Sequence, residues 1–237
     1  MDRTERITPV LALAFALSCA EEDLVCPDDF FADDVGNCLE RPHGRSVPTP
    51  DDDVAPCLPP PSPADLIEPQ RPHFGDAVLS SQVEVDGFCA NWDGVDGNLT
   101  LGRREEPGQP VDPTNITDLS GLSCLSVVKG YMHTSFNGML TDLTLPSLIW
   151  TRGSMSIVLN DGPQTMYFPL MISIGGDLSI QNNPRLASLS APNLAHLGQN
   201  FFVVGNSSLP SADAYAILGH FCEGEIGGSA DIVGNAD

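Results

Sequence analysis

The sequence predicts a mainly β fold: a parallel β-helix of about six coils of 23 residues, with a short C-terminal capping helix and a disordered acidic stalk ahead of it. Three observations predict it. Pro146, Pro169 and Pro192 are spaced 23 residues apart, and so are Gly130, Gly153 and Gly176. Two unrelated residue types sharing one period mark an architecture built coil by coil. Asparagine also recurs at one fixed place per unit, as Asn137, Asn160, Asn183, Asn206 and Asn235.

The N-terminal end reads as an export signal over residues 1–18. Val10–Leu17 is a short apolar run after Arg3 and Arg6, too short to span a bilayer. It ends at Ala16-Leu-Ser-Cys19, which resembles a bacterial lipobox with its leucine one place displaced. On that reading Cys19 is lipidated and anchors the protein to the bacterial outer membrane or cell surface. The rival is ordinary cleavage after Ala20, with Ser18-Cys-Ala20 as the small-x-small site, which gives a secreted protein.

Residues 19–84 are a different material. Asp28-Asp29, Asp33-Asp34 and Asp51-Asp-Asp53 alternate with Pro59-Pro-Pro-Ser-Pro63. Such a stretch buries too little apolar surface to fold alone, and proline stiffens it toward an extended spacer. Cys26 and Cys38 are placed to staple a small loop within it.

From about residue 85 to 237 the units align. The glycine column is Gly97, Gly130, Gly153, Gly176, Gln199 and Gly228, read as a tight corner needing positive φ. Two residues on come Leu99, Met132, Met155, Leu178, Phe201 and Ala230; four on come Leu101, Thr134, Ile157, Ile180, Val203 and Ile232. That alternation is a short strand with one buried face. Seven on come Arg104 and then the five asparagines, whose amides can bond the backbone of neighbouring coils as a ladder. The second half of each unit repeats too, as Leu143, Met166 and Leu189, then Leu145, Phe168 and Ala191, then Leu125, Leu148, Met171 and Leu194, then Val128, Thr151, Ile174 and Leu197. A single unit cannot stand alone, so stacking is required.

Both ends carry insertions. Gly102–Ile116 reads as a loop let into the first coil. Ser211–Leu218 reads as a short helix with Ser211 as N-cap, Asp213 at its positive end and Gly219 as terminator.

The unit resembles the receptor L domain, the ligand-binding β-helix of the insulin and epidermal growth factor receptors. The matching text is Gly176-Asp-Leu-Ser-Ile-Gln-Asn-Asn-Pro-Arg-Leu-Ala-Ser-Leu189 with Pro192-Asn-Leu-Ala-His-Leu197, and, at the start, Cys89 with Leu119-Ser-Gly-Leu-Ser-Cys-Leu-Ser-Val-Val-Lys-Gly130. The resemblance implies a right-handed parallel β-helix and a Cys89–Cys124 disulfide. Hormone binding is not carried over, since the chain has one such domain and no kinase. A leucine-rich repeat is the near rival: Leu178-x-Ile-x-x-Asn183 fits its core, but Gly175 stands where that repeat has leucine.

The formal net charge of −22 argues against nucleic-acid partners and against lying on an anionic membrane, leaving a lipid anchor as the only membrane contact. Setting Cys19 aside leaves six cysteines, which with export read as disulfides in any of fifteen connectivities. Cys26–Cys38 is the local pair, and Cys57–Cys222 remains by elimination once the resemblance takes Cys89 and Cys124. No metal or cofactor is expected: no two cysteines lie within four residues, and His43, His73, His133, His196 and His220 are scattered. Asp93-Gly-Val-Asp-Gly-Asn98 resembles half a calcium loop without its distal ligands. Asn98-Leu-Thr, Asn115-Ile-Thr and Asn206-Ser-Ser are glycosylation sequons.

An enzyme is not expected. Carboxylates on neighbouring coils would have to share a column, yet Asp142 is followed by Thr165 and Ser188, and Asp161 by Pro184. The outward strand column (Thr100, His133, Ser156, Ser179, Phe202, Asp231) is too irregular for an ice- or crystal-binding ladder. The expectation is a recognition or adhesion module presenting one solenoid face to a protein or glycan, with Trp150 and His133 as candidate contacts, Trp150 alternatively being partly buried against the loop. The second expectation is a structural envelope protein without a specific ligand, and the third, ranked below it, a β-helix polysaccharide-active enzyme.

Overall fold

The structure, a computed structural model, describes residues 30–32, 38–40, 68–103, 113–221 and 226–236. Cys19, Cys26, Cys57 and Cys222, the expected signal peptide and most of the expected stalk lie outside the described residues, as do residues 104–112 of the inserted loop. Two compact units divide at Val54 and Ala55.

In the first unit, β1 (Phe30–Ala32) and β2 (Cys38–Glu40) form an antiparallel pair with Phe31 opposite Leu39 and Ala32 opposite Cys38. The second unit is a β-solenoid. It opens with β3 (Pro72–Phe74), β4 (Ala77–Leu79) and α1 (Gln82–Asn91). Next come β5 (Gly94–Asp96) and β6 (Leu99–Gly102), then a 3-10 turn at Ser120–Leu122. A full coil follows as β7 (Val127–Val128), β8 (Met132–Ser135) and β9 (Asp142–Thr144). It repeats as β10 (Trp150–Thr151), β11 (Met155–Val158) and β12 (Thr165–Tyr167), and again as β13 (Ser173–Ile174), β14 (Leu178–Gln181) and β15 (Ser188–Ser190). The chain ends with β16 (His196–Leu197), β17 (Phe201–Val204), α2 (Ser211–Leu218) and β18 (Ala230–Val233).

Stacking produces three parallel sheets. The wide sheet has seven strands, in the order β4-β6-β8-β11-β14-β17-β18; the narrow sheet has six, β3-β5-β7-β10-β13-β16; the short sheet has three, β9-β12-β15. The register follows the 23-residue period: Met132, Met155, Leu178 and Phe201 lie side by side, as do Thr134, Ile157, Ile180 and Val203. These columns, with Leu143–Met166–Leu189 and Val128–Thr151–Ile174–Leu197, are buried inside the coils. The regular stack begins at Pro72, ahead of the expected boundary at residue 85, because β3 and β4 pair with β5 and β6. The prolines take the second place of turns closed by Leu148 N–H to Leu145, Met171 N–H to Phe168 and Leu194 N–H to Ala191, where a fixed φ is already right.

The glycine column serves a different end from the one expected. Gly97, Gly130, Gly153 and Gly176 are absent from the positive-φ residues. A Cβ on Gly153 would lie 2.9 Å from the Gly130 carbonyl oxygen, so the column lets consecutive coils touch. The left-handed corner falls one residue before each ladder asparagine, at Phe136, Leu159, Asn182, Gly205 and Gly234, with φ of 58°, 57°, 53°, 70° and 68°.

Helix α1 was not anticipated. Its start is a capping box: the Glu84 carboxylate accepts the Ser80 and Ser81 backbone N–H groups at 2.7 and 2.9 Å. Burial raises the Glu84 pKa, but these bonds and the two serine hydroxyls outweigh it and hold the carboxyl below its ordinary value. Val85 and Phe88 are buried, and the Cys89–Cys124 disulfide ties the helix to the coil entrance. At the other end α2 has the expected bounds with different capping. Pro210 precedes it, Ser211 is its first helical residue, Asp213 accepts the Leu189 N–H at 3.1 Å, and Gly219 has an ordinary φ of −67°. Ala214 and Ile217 turn inward over the last coil.

Candidate functional site

Two polar ladders set the shape of the outer surfaces. In the first, each asparagine Oδ1 accepts both the backbone and the side-chain N–H of the asparagine one coil earlier. Asn160 Oδ1 receives Asn137 N and Nδ2 at 3.2 and 3.0 Å, and Asn183 and Asn206 repeat the arrangement. Each Nδ2 also reaches back to a strand carbonyl, Thr134 for Asn160 and Ile157 for Asn183. Asn137, Asn160, Asn183 and Asn206 are fully buried, and Asn235 ends the series. Before Asn137 stands Thr114, whose hydroxyl donates to Asn137 Oδ1 at 2.7 Å; Arg104 lies outside the described residues. Thr114, 23 residues before Asn137, is therefore in register with the ladder. The buried Asn206 amide is inaccessible as a glycosylation sequon in the folded chain.

The second ladder was missed. Asp76 accepts Asn98 N and Nδ2 at 2.9 Å, Asn98 accepts the Tyr131 N–H, Asp177 accepts Asn200 N and Nδ2, and Asn200 accepts the Ser229 N–H. The signal was the run of short polar residues one place after the glycine column. It also accounts for the half calcium loop: Asn98 and Asp93 bind backbone, the latter accepting Arg71 N–H at 2.8 Å, and Asp96 pairs with Lys129 at 3.3 Å.

Between these corners the wide sheet presents two outward columns. One runs Val78, Thr100, His133, Ser156, Ser179, Phe202 and Asp231, and the other Ser135, Val158, Gln181, Val204 and Val233. At ~4.8 Å between strands the seven rungs span roughly 29 Å. Thr100 and Ser135 are covered. Beyond them His133, Ser156, Val158, Ser179, Gln181, Phe202 and Val204 are half-buried, and Val233 is open. Short bonds tie polar members to their own strand: His133 Nε2 to Ser135 Oγ at 3.0 Å, and Gln181 Nε2 donating to Ser179 Oγ at 2.7 Å. From Thr100 to Val204 neither column carries an Asp, Glu, Lys or Arg, although the chain has 32 Asp and Glu.

Of the two expected contact residues, His133 lies on this face and Trp150 does not. Trp150 is on the narrow sheet, between Val127 and Ser173, and only 5% exposed. The alternation that puts Thr151 inside turns the indole outward, and it is covered there, so it offers no ring to a ligand.

Two clefts lie elsewhere. One, of about 340 Å³, sits between α1 and β3–β4, against Trp92, Phe88 and Val83; His73 meets the Trp92 ring edge-on at 4.8 Å. Its carboxylates, Asp76 and Glu84, already hold backbone amides. The other, of about 300 Å³, is lined by Asp118 and Asp142, so a loop carboxylate does fold back toward a strand carboxylate. A glycosidase acid needs a carboxyl raised toward neutrality. Asp118 moves the other way, held below its ordinary value by the hydroxyl and N–H of Ser120. Among the described residues no three of His, Cys, Asp and Glu come together as a metal site, and no helix is long and apolar enough to cross a membrane.

Compared with known proteins, the chain matches no family model, no curated protein and no solved structure.

Proposed function

We propose that this protein is a surface-tethered, non-catalytic recognition module, an L-domain-like solenoid carried on a spacer from a lipid at Cys19, which binds a protein or glycan through the outer face of the wide sheet. The observation that carries the reading is the uncharged, partly apolar face at Ser156, Val158, Ser179, Gln181, Phe202 and Val204 on a chain of net charge −22. An acidic surface keeps most macromolecules away, and a gap in that charge is where desolvation on binding costs least. The half-buried Phe202, Val158 and Val204 supply apolar area, and the serines and Gln181 supply hydrogen bonds at the same height.

The test uses the chain from residue 20 onward, on a glycan array and in pull-downs from the cell surface. The expected result is a binder that Val158→Arg and Ser179→Arg each release while the thermal unfolding curve is kept. No binder in either assay, or a binder indifferent to both substitutions, would overturn the reading and leave the structural envelope role. Palmitate labelling that is lost in Cys19→Ala tests the anchor separately.

A further inference from the structure

The cleft between α1 and the first strands combines three features that the solenoid itself does not require. The first is open apolar surface. Phe74 and Val83, 80% and 78% exposed, are the two most exposed large hydrophobic residues among the described ones, and Val78 is 59% exposed. Val78 and Val83 line the cleft from opposite sides, and Phe74 follows His73 of its lining.

The second is a strand edge. Strand β4 ends the wide sheet, and among the described residues no strand lies beyond it. Ala77 gives its N–H to Asn98 O in the next coil. Backbone groups alternate sides along a strand, so the N–H and C=O of Val78 turn away from β6, toward the open side. The third is Gly87, on the α1 face that carries Val83 and Asn91 one turn to either side. Glycine is a poor residue for a helix interior. Nothing local demands it: Gly87 has no positive φ, and a Cβ there would meet no atom within 4 Å. What a side chain at position 87 would do is fill the cleft.

We propose that this cleft takes an extended, basic peptide segment of another protein, added beside β4 as a further parallel rung with its apolar side chains between Val78 and Val83. Main-chain pairing with Val78 selects a peptide over a glycan, and the apolar wall selects alternate apolar side chains. Charge selects the rest. The cleft is lined by Asp76 and Glu84 and by no Lys or Arg, and α1 adds Asp86 and no basic residue. Glu84, held below its ordinary pKa by the Ser80 and Ser81 bonds, stays ionised. A second copy of a chain of net charge −22 would bring like charge against these carboxylates, whereas a basic segment neutralises them. The protein then has two binding surfaces: the wide-sheet face, and a terminal edge that accepts a strand.

The experiment titrates the full chain into fluorescein-labelled Lys-Val-Lys-Val-Lys-Val-Lys and follows the anisotropy. Saturable binding with a micromolar dissociation constant is expected, weakened about tenfold or more by Gly87→Leu, which fills the cleft, and by Val83→Asp. Both positions are open, so the unfolding temperature should not fall. Val158→Arg on the wide-sheet face should leave this binding unchanged. Two control peptides separate strand addition from simple charge attraction. Lys-Lys-Val-Val-Val-Lys-Lys has the same composition without the alternation, and the alternating peptide methylated on every second amide has lost donors; both are expected to bind about tenfold more weakly. Equal binding of either control, or binding indifferent to Gly87→Leu, overturns the proposal. So does no binding of the alternating peptide, or a dimeric parent that Gly87→Leu makes monomeric in sedimentation, the occupant then being the chain itself or a second copy. If Gly87→Leu fails to fold, Val83→Asp decides by the same criteria.

Discussion

Replacing Asn160 with alanine tests what the asparagine ladder contributes. Asn160 sits mid-ladder and is fully buried; its Oδ1 accepts two hydrogen bonds from Asn137, and its two amide N–H groups are shared among three acceptors, Thr134 O, Val158 O and Asn183 Oδ1. Several partners keep another bond. Asn137 Nδ2 retains Leu101 O, and Asn183 Oδ1 retains the Asn160 backbone N–H. The Asn137 backbone N–H is the severe loss, a buried donor stripped of its ladder acceptor. Taking ~2 kcal/mol for that stranded amide and ~1 kcal/mol for each of two further bonds gives about 4 kcal/mol, in the upper range for one substitution. Asn235→Ala is the internal control. It is half-buried at the ladder's end, where water can replace what is lost, and about 1 kcal/mol is expected. Urea unfolding followed by circular dichroism measures both. Equal costs at the two positions, or less than ~1 kcal/mol at Asn160, would refute the argument that inter-coil amides carry the stack.

Two substitutions are expected to stabilise the domain. Thr134 lies between Leu101 and Ile157 inside the solenoid, fully buried, and its hydroxyl has no hydrogen-bond partner, so Thr134→Val removes an orphaned polar atom at constant shape and should gain about 1–2 kcal/mol in the same urea titration. Leu159 is 38% exposed and holds φ at 57°, a conformation that costs a side-chain-bearing residue ~1–2 kcal/mol, part of which glycine's greater freedom in the unfolded chain takes back; Leu159→Gly should therefore gain about 0.5–1 kcal/mol, and a loss would refute the assignment of strain to that corner.

The period was legible because the interior of a stacked coil tolerates few residue types. Met132, Met155, Leu178 and Phe201 differ in identity but share one buried height, and an asparagine that must serve three coils at once leaves an unmistakable column. Where one position serves two needs, the pattern misled. Glycine at a corner is demanded by close approach as well as by positive φ, and Gly153 answers to the first. The true left-handed corner was hidden because Phe136 and Leu159 occupy it against their preference. Thr114 was not read as a ladder neighbour, because it is a threonine inside a segment read as a loop, and only its 23-residue spacing from Asn137 reveals it. Helix α1 carried a readable capping box in Ser81 and Glu84, but Gly87 at its centre and the lack of an apolar stripe concealed it. The wide-sheet face was legible as a column and not as an uncharged surface, because its second column emerges only when the four-residue strands are known. Trp150 illustrates the limit in the other direction: its register was right, and its burial on an outward column was not readable from the period.

Each coil's ladder contacts reach only the coil before and the coil after, and each coil enters and leaves the axis at the same point. Length is therefore a free variable of this architecture. A block of 23 residues copied in phase, such as the stretch from Gly153 to Gly175, would find on both sides the partners it already has. It would move the two ends of the molecule apart by one rung, about 4.8 Å. Duplication or loss of such a block is a heritable way to resize the wide sheet without redesigning it, and related chains that differ by whole multiples of the block would be the trace it leaves.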